Sequence, residues 1–140
     1  MDNLTLKIRI AVLWLFYAVV MSAHLALSIF EPGVIQLITS GKMQISEEVF
    51  LFMALFWLIP LTMAFMSVTL KDSANRWANI ILGIVFTVVN IFHMSFEQLA
   101  QPSIHMAQPS IHQLLINGST VVVTALIVWY AYKWHKNSSS

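Results

Sequence analysis

The sequence predicts an all-α membrane protein: four transmembrane helices in an antiparallel bundle, with both termini on the cytoplasmic side. Three observations carry this expectation. Only 9% of the residues are charged and 59% are hydrophobic, whereas soluble domains carry roughly 25% charged residues. The few charges leave four long uncharged runs. The lysines and arginines outside those runs fall almost entirely on one side of a four-span topology.

A membrane-spanning helix needs about 20 predominantly apolar residues. There are 21 residues free of Asp, Glu, Lys and Arg between Arg9 and Glu31, 22 between Glu48 and Lys71, and 20 between Arg76 and Glu97. A fourth run extends from Gln98 to Tyr132, with its apolar part from Leu114 onward. Hydrocarbon offers the backbone no hydrogen-bond partners, so each run is expected to be helical. The predicted helices cover 7–30, 47–70, 75–98 and 110–134.

Local signals fit these limits. Glu31-Pro32-Gly33 disfavours continuation of the first helix. Ser46 with Glu47 and Glu48 forms an N-terminal cap for the second, and Pro60 lies inside it, where a kink is expected. Lys71 to Asn75 reads as a tight polar turn. Pro109 suits the first turn of the fourth helix, where its missing N–H costs nothing. The apolar run of the first helix is longer than that of a cleaved signal peptide.

Lys and Arg concentrate in short cytoplasmic loops. Lys7, Arg9, Lys71, Arg76, Lys133 and Lys136 share one side of this topology, against Lys42 alone on the other. Trp14, Trp77, Trp129, Tyr130, Tyr132 and Trp134 lie toward the basic side, as an interfacial aromatic belt would. The outer loops hold Glu31, Glu47, Glu48 and Glu97. Topology alone accounts for that acidic face; a cation-attracting vestibule is the functional alternative.

Several function classes are excluded or unsupported. With no cysteine there is no disulfide, thiolate metal site or cysteine nucleophile. A net charge of +1 without a clustered basic surface gives no support for nucleic-acid binding. No H-E-x-x-H, G-x-S-x-G or phosphate-loop motif occurs, so no catalytic residue is assigned.

The polar residues inside the spans are the informative ones, because polar groups in hydrocarbon need partners. Gly83, Thr87, Asn90, His93 (or Met94) and Glu97 follow one another at steps of three and four, along one helical face. Tyr17, Met21, His24 and Ser28 do so on the first helix, and Asn117, Thr120 and Thr124 on the fourth. With alternating helix directions and about 1.5 Å per residue, His24, Asn90, His93, Glu97 and Asn117 fall in one band near the outer leaflet. These five are the candidate ligand-binding residues. Interhelical hydrogen bonding that specifies packing is the plainer account. A pocket for a small polar molecule or a proton path is the second. A haem held by His24 and His93 is the third.

Leu99 to His105 is followed by a near-copy, Met106 to His112, with six of seven positions identical. A duplication in a tolerant outer loop explains it; two histidines seven apart fix no metal geometry. Residues 1–136 are read as one domain and 137–140 as a disordered tail.

Four segments carry a resemblance: Glu31-Pro-Gly-Val-Ile-Gln36, Leu70-Lys71, Asn75-Arg-Trp-Ala-Asn-Ile-Ile81 with Gly83, and Ile127-Val-Trp-Tyr-Ala-Tyr-Lys-Trp134. In this order, spanning nearly the whole chain, they resemble a family of small bacterial four-helix membrane proteins known only as a domain of unknown function. The resemblance implies a multi-pass protein of the bacterial cytoplasmic membrane and brings no activity or cofactor. It also implies acidic residues within the first and fourth helices, where this chain has His24 and Asn117. Arg76, Trp77 and Asn79 read as topology, interface and helix start.

The functional expectation is a non-catalytic bundle that binds a small ligand or partner through the outer polar cluster. The alternatives are a small-molecule or proton-coupled transporter acting as a parallel homo-oligomer, and a haem or quinone carrier using His24 and His93. Small multidrug exporters resemble the chain superficially, but they use a glutamate in the first helix, and none is present here.

Overall fold

The computed structural model describes residues 3–30, 33–41, 46–99 and 111–134, with the side chains of 49, 93–99, 112 and 113 outside that description. Within it the chain is all helical: α1 (Asn3–Ser28), α2 (Val34–Thr39), α3 (Glu47–Thr69), α4 (Asp72–Leu99) and α5 (Ile111–Lys133). The segments Asn3–Ser28, Phe50–Thr69, Asp72–Phe92 and Leu114–Lys133 are long and apolar enough to cross a membrane. The duplicated loop between α4 and α5, Pro109 and the tail lie outside the described residues.

The differences from the expected elements have local causes. α2 is an added single turn and a half, bracketed by glycines. Gly33 precedes it at φ +90° and Gly41 follows it at φ +66°, both in the left-handed region where a Cβ is penalised. Gly41 N–H closes the end by donating to the Ile38 carbonyl (3.1 Å). The turn between α3 and α4 is shorter than Lys71 to Asn75. Only Leu70 and Lys71 leave the helices, and the Asn75 N–H already donates to the Lys71 carbonyl (2.9 Å). Asp72 suits this first turn because carboxylates favour helix N-termini. α3 runs continuously through the buried Pro60.

Ser46 does not cap α3 with its side chain. Its hydroxyl instead donates to the Glu48 carboxylate, which, with the Glu48 backbone N–H as a second donor, holds that carboxyl below its ordinary range. We expect Ser46→Ala to raise the Glu48 pKa toward the ordinary glutamate value. A titration followed by carboxyl-carbon NMR checks this, and an unmoved midpoint would contradict the contact.

Packing is centred on α1. Leu6, Ile10, Trp14 and Tyr17, at steps of four, four and three, form its fully buried stripe. α1 packs closely against α3 and α5, and α5 against α4; the interface between α3 and α4 is the loosest of the four. Across that loose interface the rings of Phe56 and Phe86 stack at 4.9 Å. Phe86 also takes Trp14 (5.5 Å) and Tyr17 (5.4 Å) edge-on. Such pairs contribute about 0.5–1.5 kcal/mol each beyond area burial.

At one end, Lys7 gathers three elements. Its ammonium is 2.8 Å from the Asp72 carboxylate, donates to the Leu70 carbonyl (3.1 Å) and lies 5.8 Å from the Trp134 ring centroid. The start of α1, the α3–α4 turn and the end of α5 therefore meet there.

The distribution of polarity is inverted relative to a water-soluble domain. Ser67, Asn75, Asn79, Asn90, Asn117, Thr120 and Thr124 are buried, while Val19, Leu51, Phe65, Ile81, Phe92 and Leu115 are exposed. Large contiguous apolar surfaces are rare on soluble monomers. They are what hydrocarbon requires.

Candidate functional site

Two polar clusters lie inside the bundle, and only one is among the residues singled out from the sequence. The first joins α1, α3 and α4 and is fully satisfied. Both polar atoms of the Asn79 side chain are engaged. Its Oδ1 accepts from Trp14 Nε1 (2.6 Å) and lies 3.3 Å from the Ser67 hydroxyl. Its Nδ2 donates to the Asn75 Oδ1 (2.6 Å) and the Asn75 carbonyl (2.8 Å). Asn75 Nδ2 in turn donates to the Ser67 carbonyl (2.5 Å), and the Ser67 hydroxyl to that of Met63 (2.7 Å). All of these side chains are buried.

This cluster corrects three sequence expectations. Trp14 and Trp134 are buried in the bundle and do not belong to an interfacial belt, whereas Trp77, Trp129 and Tyr132 are exposed as that belt requires. Asn75 is a helical residue rather than part of a turn. Asn79 does more than start a helix: it is the hub. A readable signal existed, since Asn75, Asn79, Gly83, Thr87 and Asn90 continue one α4 face at steps of four, four, four and three.

The second cluster holds the candidate residues. Asn90 on α4 is 5% exposed, and its Oδ1 accepts from the Tyr17 hydroxyl of α1 (3.0 Å). Its Nδ2 has no hydrogen-bond partner among the described residues. Asn117 on α5 is buried, and His24 on α1, two turns beyond Tyr17, is half-buried. Among the described residues no hydrogen bond joins either of them to Asn90. The side chains of His93 and Glu97 lie outside the described residues. Tyr17, noted in the sequence for its face alone, is thus the defined partner of the site.

Between the two clusters α4 and α5 are held closely. The Thr87 and Thr124 hydroxyls are 2.8 Å apart, and each also lies within reach of a carbonyl of its own helix, Gly83 (2.7 Å) and Thr120 (3.0 Å). That arrangement suits a medium without water. A Cβ at Gly83 would fall 2.7 Å from the Val128 methyl, so the glycine permits the approach. Gly118 has no such neighbour within 4 Å. Outside this contact, an open apolar groove of 240 Å³ runs between the two helices, lined by Ile84, Thr87, Val88, Ala125 and Val128. No group of three or more His, Asp or Glu able to hold a metal ion occurs among the described residues.

An all-helical fold with four membrane-length apolar helices and polar side chains turned inward defines the class: a bundle built for an apolar surround. Within that class the chain belongs to a family of unknown function, DUF6326, whose model matches residues 3–140. No curated protein and no solved structure matches the chain.

Proposed function

We propose that the chain is a multi-pass protein of the bacterial cytoplasmic membrane, an antiparallel four-span bundle with both termini inside. In this reading it binds a small molecule at Asn90 without covalent chemistry. The meeting of the α1 start, the α3–α4 turn and the α5 end around Lys7 supports the alternating direction of the spans. The six-to-one bias of Lys and Arg supports a cytoplasmic assignment for that end.

The observation that carries the binding reading is the contrast between two buried asparagines. Asn79 satisfies both its amide hydrogens and its oxygen accepts from Trp14, whereas Asn90 has a satisfied oxygen and a buried amide with no acceptor among the described residues. An unmet buried donor costs about 1–3 kcal/mol. A ligand carrying a carbonyl, hydroxyl or ether oxygen would relieve that cost. Its approach to Asn90 would be flanked by Tyr17 and, one turn below, Phe86. A quinone is one lipid-soluble molecule of this class.

The test is native mass spectrometry of the full chain extracted from its own membranes in mild detergent. We expect a small molecule to accompany the wild-type chain and Thr62→Ala, an exposed α3 position, and to be lost from Asn90→Leu. A wild-type chain that carries nothing, or an Asn90→Leu chain that keeps its passenger, would refute the binding reading. Reporter fusions at either end should report the cytoplasm.

A further inference from the structure

The basic end has a pattern beyond the charge bias. Four cations there each sit by an aromatic ring: Lys7 by Trp134 (5.8 Å), Arg9 by Tyr130 (5.8 Å), Arg76 by Trp77 (5.3 Å) and Lys133 by Trp129 (4.4 Å). Among the described residues the one ion pair is Lys7 with Asp72, and Asn3 occupies the other oxygen of that carboxylate (2.9 Å). Arg76, one turn beyond Asp72, therefore has no carboxylate among the described residues. Its Nε is buried and has no hydrogen-bond partner among the described residues.

Arg76 lies seven residues, two turns, before Gly83, on the face that meets α5 at Val128. Lys133 ends α5, next to the Trp134 that Lys7 links to the start of α4. Arg76 and Lys133, neither paired with a carboxylate among the described residues, thus stand at the same end of the α4–α5 seam. The apolar groove opens along that seam. Ile84 follows Arg76 by eight residues and Ala125 precedes Lys133 by eight, about 12 Å along each helix.

We propose that this seam is a binding site for an anionic phospholipid, a proposal that rests on the membrane-spanning reading but not on the Asn90 site. The lipid phosphate accepts from the outer N–H groups of the Arg76 guanidinium and pairs with Lys133. The half-exposed indoles of Trp77 and Trp129 flank the glycerol region, where amphipathic rings belong. One acyl chain lies in the groove. Charge selects an anionic lipid over a zwitterionic one, and the groove selects a lipid over free phosphate.

The test measures binding to the full chain in dodecyl maltoside, by native mass spectrometry and thermal shift. The probes are long-chain phosphatidylglycerol, phosphatidylcholine of the same chains, and inorganic phosphate. We expect phosphatidylglycerol to bind about tenfold more tightly than phosphatidylcholine, and millimolar phosphate to give no shift. Arg76→Gln and Lys133→Gln should each weaken phosphatidylglycerol about fivefold, since a basic residue near an anionic surface contributes about that factor. Arg9→Gln, a charge at the same end on α1, should weaken it less than twofold. Ala125→Phe, which fills the groove from an exposed position, should weaken it without removing charge.

Equal binding of the two lipids, an equal loss from Arg9→Gln, or protection by phosphate alone would overturn the proposal. If Arg76→Gln does not fold, Lys133→Gln and Ala125→Phe carry the test, since both positions are exposed; unchanged binding in both would overturn it. Release of the chain by alkaline carbonate would sink the membrane reading itself, whatever the lipid selectivity.

Discussion

Asn79→Leu is expected to lower the melting temperature of the detergent-extracted chain by about 10 °C, the equivalent of about 3 kcal/mol for a chain of this length. Single interhelical hydrogen bonds in membranes average only about 0.6 kcal/mol, because the unfolded segments find other partners. Asn79 is different in kind. Its removal deprives Trp14 Nε1 of its acceptor and Asn75 Oδ1 of its donor at once, inside a fully buried cluster. Each stranded polar group costs about 1–3 kcal/mol. Leucine also loses the bond back to the Asn75 carbonyl.

Thr87→Val is the reference for an ordinary contact, since Thr124 keeps its Thr120 carbonyl when Thr87 loses its hydroxyl. It should cost less than about 1 kcal/mol. Trp14→Phe should cost less in the Asn79→Leu background than alone, because residues sharing one network do not add, while the lost packing of the indole remains in both. Equal melting points for Asn79→Leu and Thr87→Val would refute the hub.

The four membrane-length helices were legible because hydrocarbon requires length and forbids charge, and both leave a plain mark on the sequence. α2 was not, because a helix of six residues carries no period; the two positive-φ glycines around it were the available sign. The depth of Trp14 was missed for a physical reason. A tryptophan near a span end suits the interface equally well by composition. Only its spacing from Ile10 and Tyr17 on the buried stripe separates the two placements.

Asn75 and Asn79 were misread by proximity to Lys71 and Arg76, since a polar residue beside a charge looks solvated. They continue the very face that identified Asn90. Face periodicity was therefore the better guide than distance from a loop. Of the five candidate residues, the structure places Asn90 and Asn117 inside the bundle and His24 partly so. The pairing of Asn90 with Tyr17 depends on how α1 and α4 sit across the bundle, and no spacing within either helix encodes that.

Gly83→Leu is expected to be the most damaging change on the α4–α5 seam, at about 3 kcal/mol or more. Even a single Cβ there would sit 2.7 Å from Val128 Cγ2, well inside contact distance, with Ile127 and the Thr124 carbonyl at 3.5 Å behind it. Valine in a helix is held largely to one χ1 rotamer, so its methyl cannot swing aside cheaply. The helices must part instead, and overpacking of this kind costs about 1–3 kcal/mol for a few added methylenes. Separation would also open the Thr87–Thr124 contact one turn away.

Gly83→Ala should cost less, because alanine recovers up to about 1 kcal/mol of helix propensity. The paired change Gly83→Ala with Val128→Ala should be more stable than the two single effects predict, since the methyl added at Gly83 takes space vacated by the two Val128 methyls and the clash is removed. Gly118→Ala, with nothing within 4 Å, should be neutral or slightly stabilising by the same propensity argument. Thermal unfolding in detergent ranks all four. Gly83→Leu melting with the wild type would mean that α4 and α5 are not packed at this point, and the groove beside them would lose its wall.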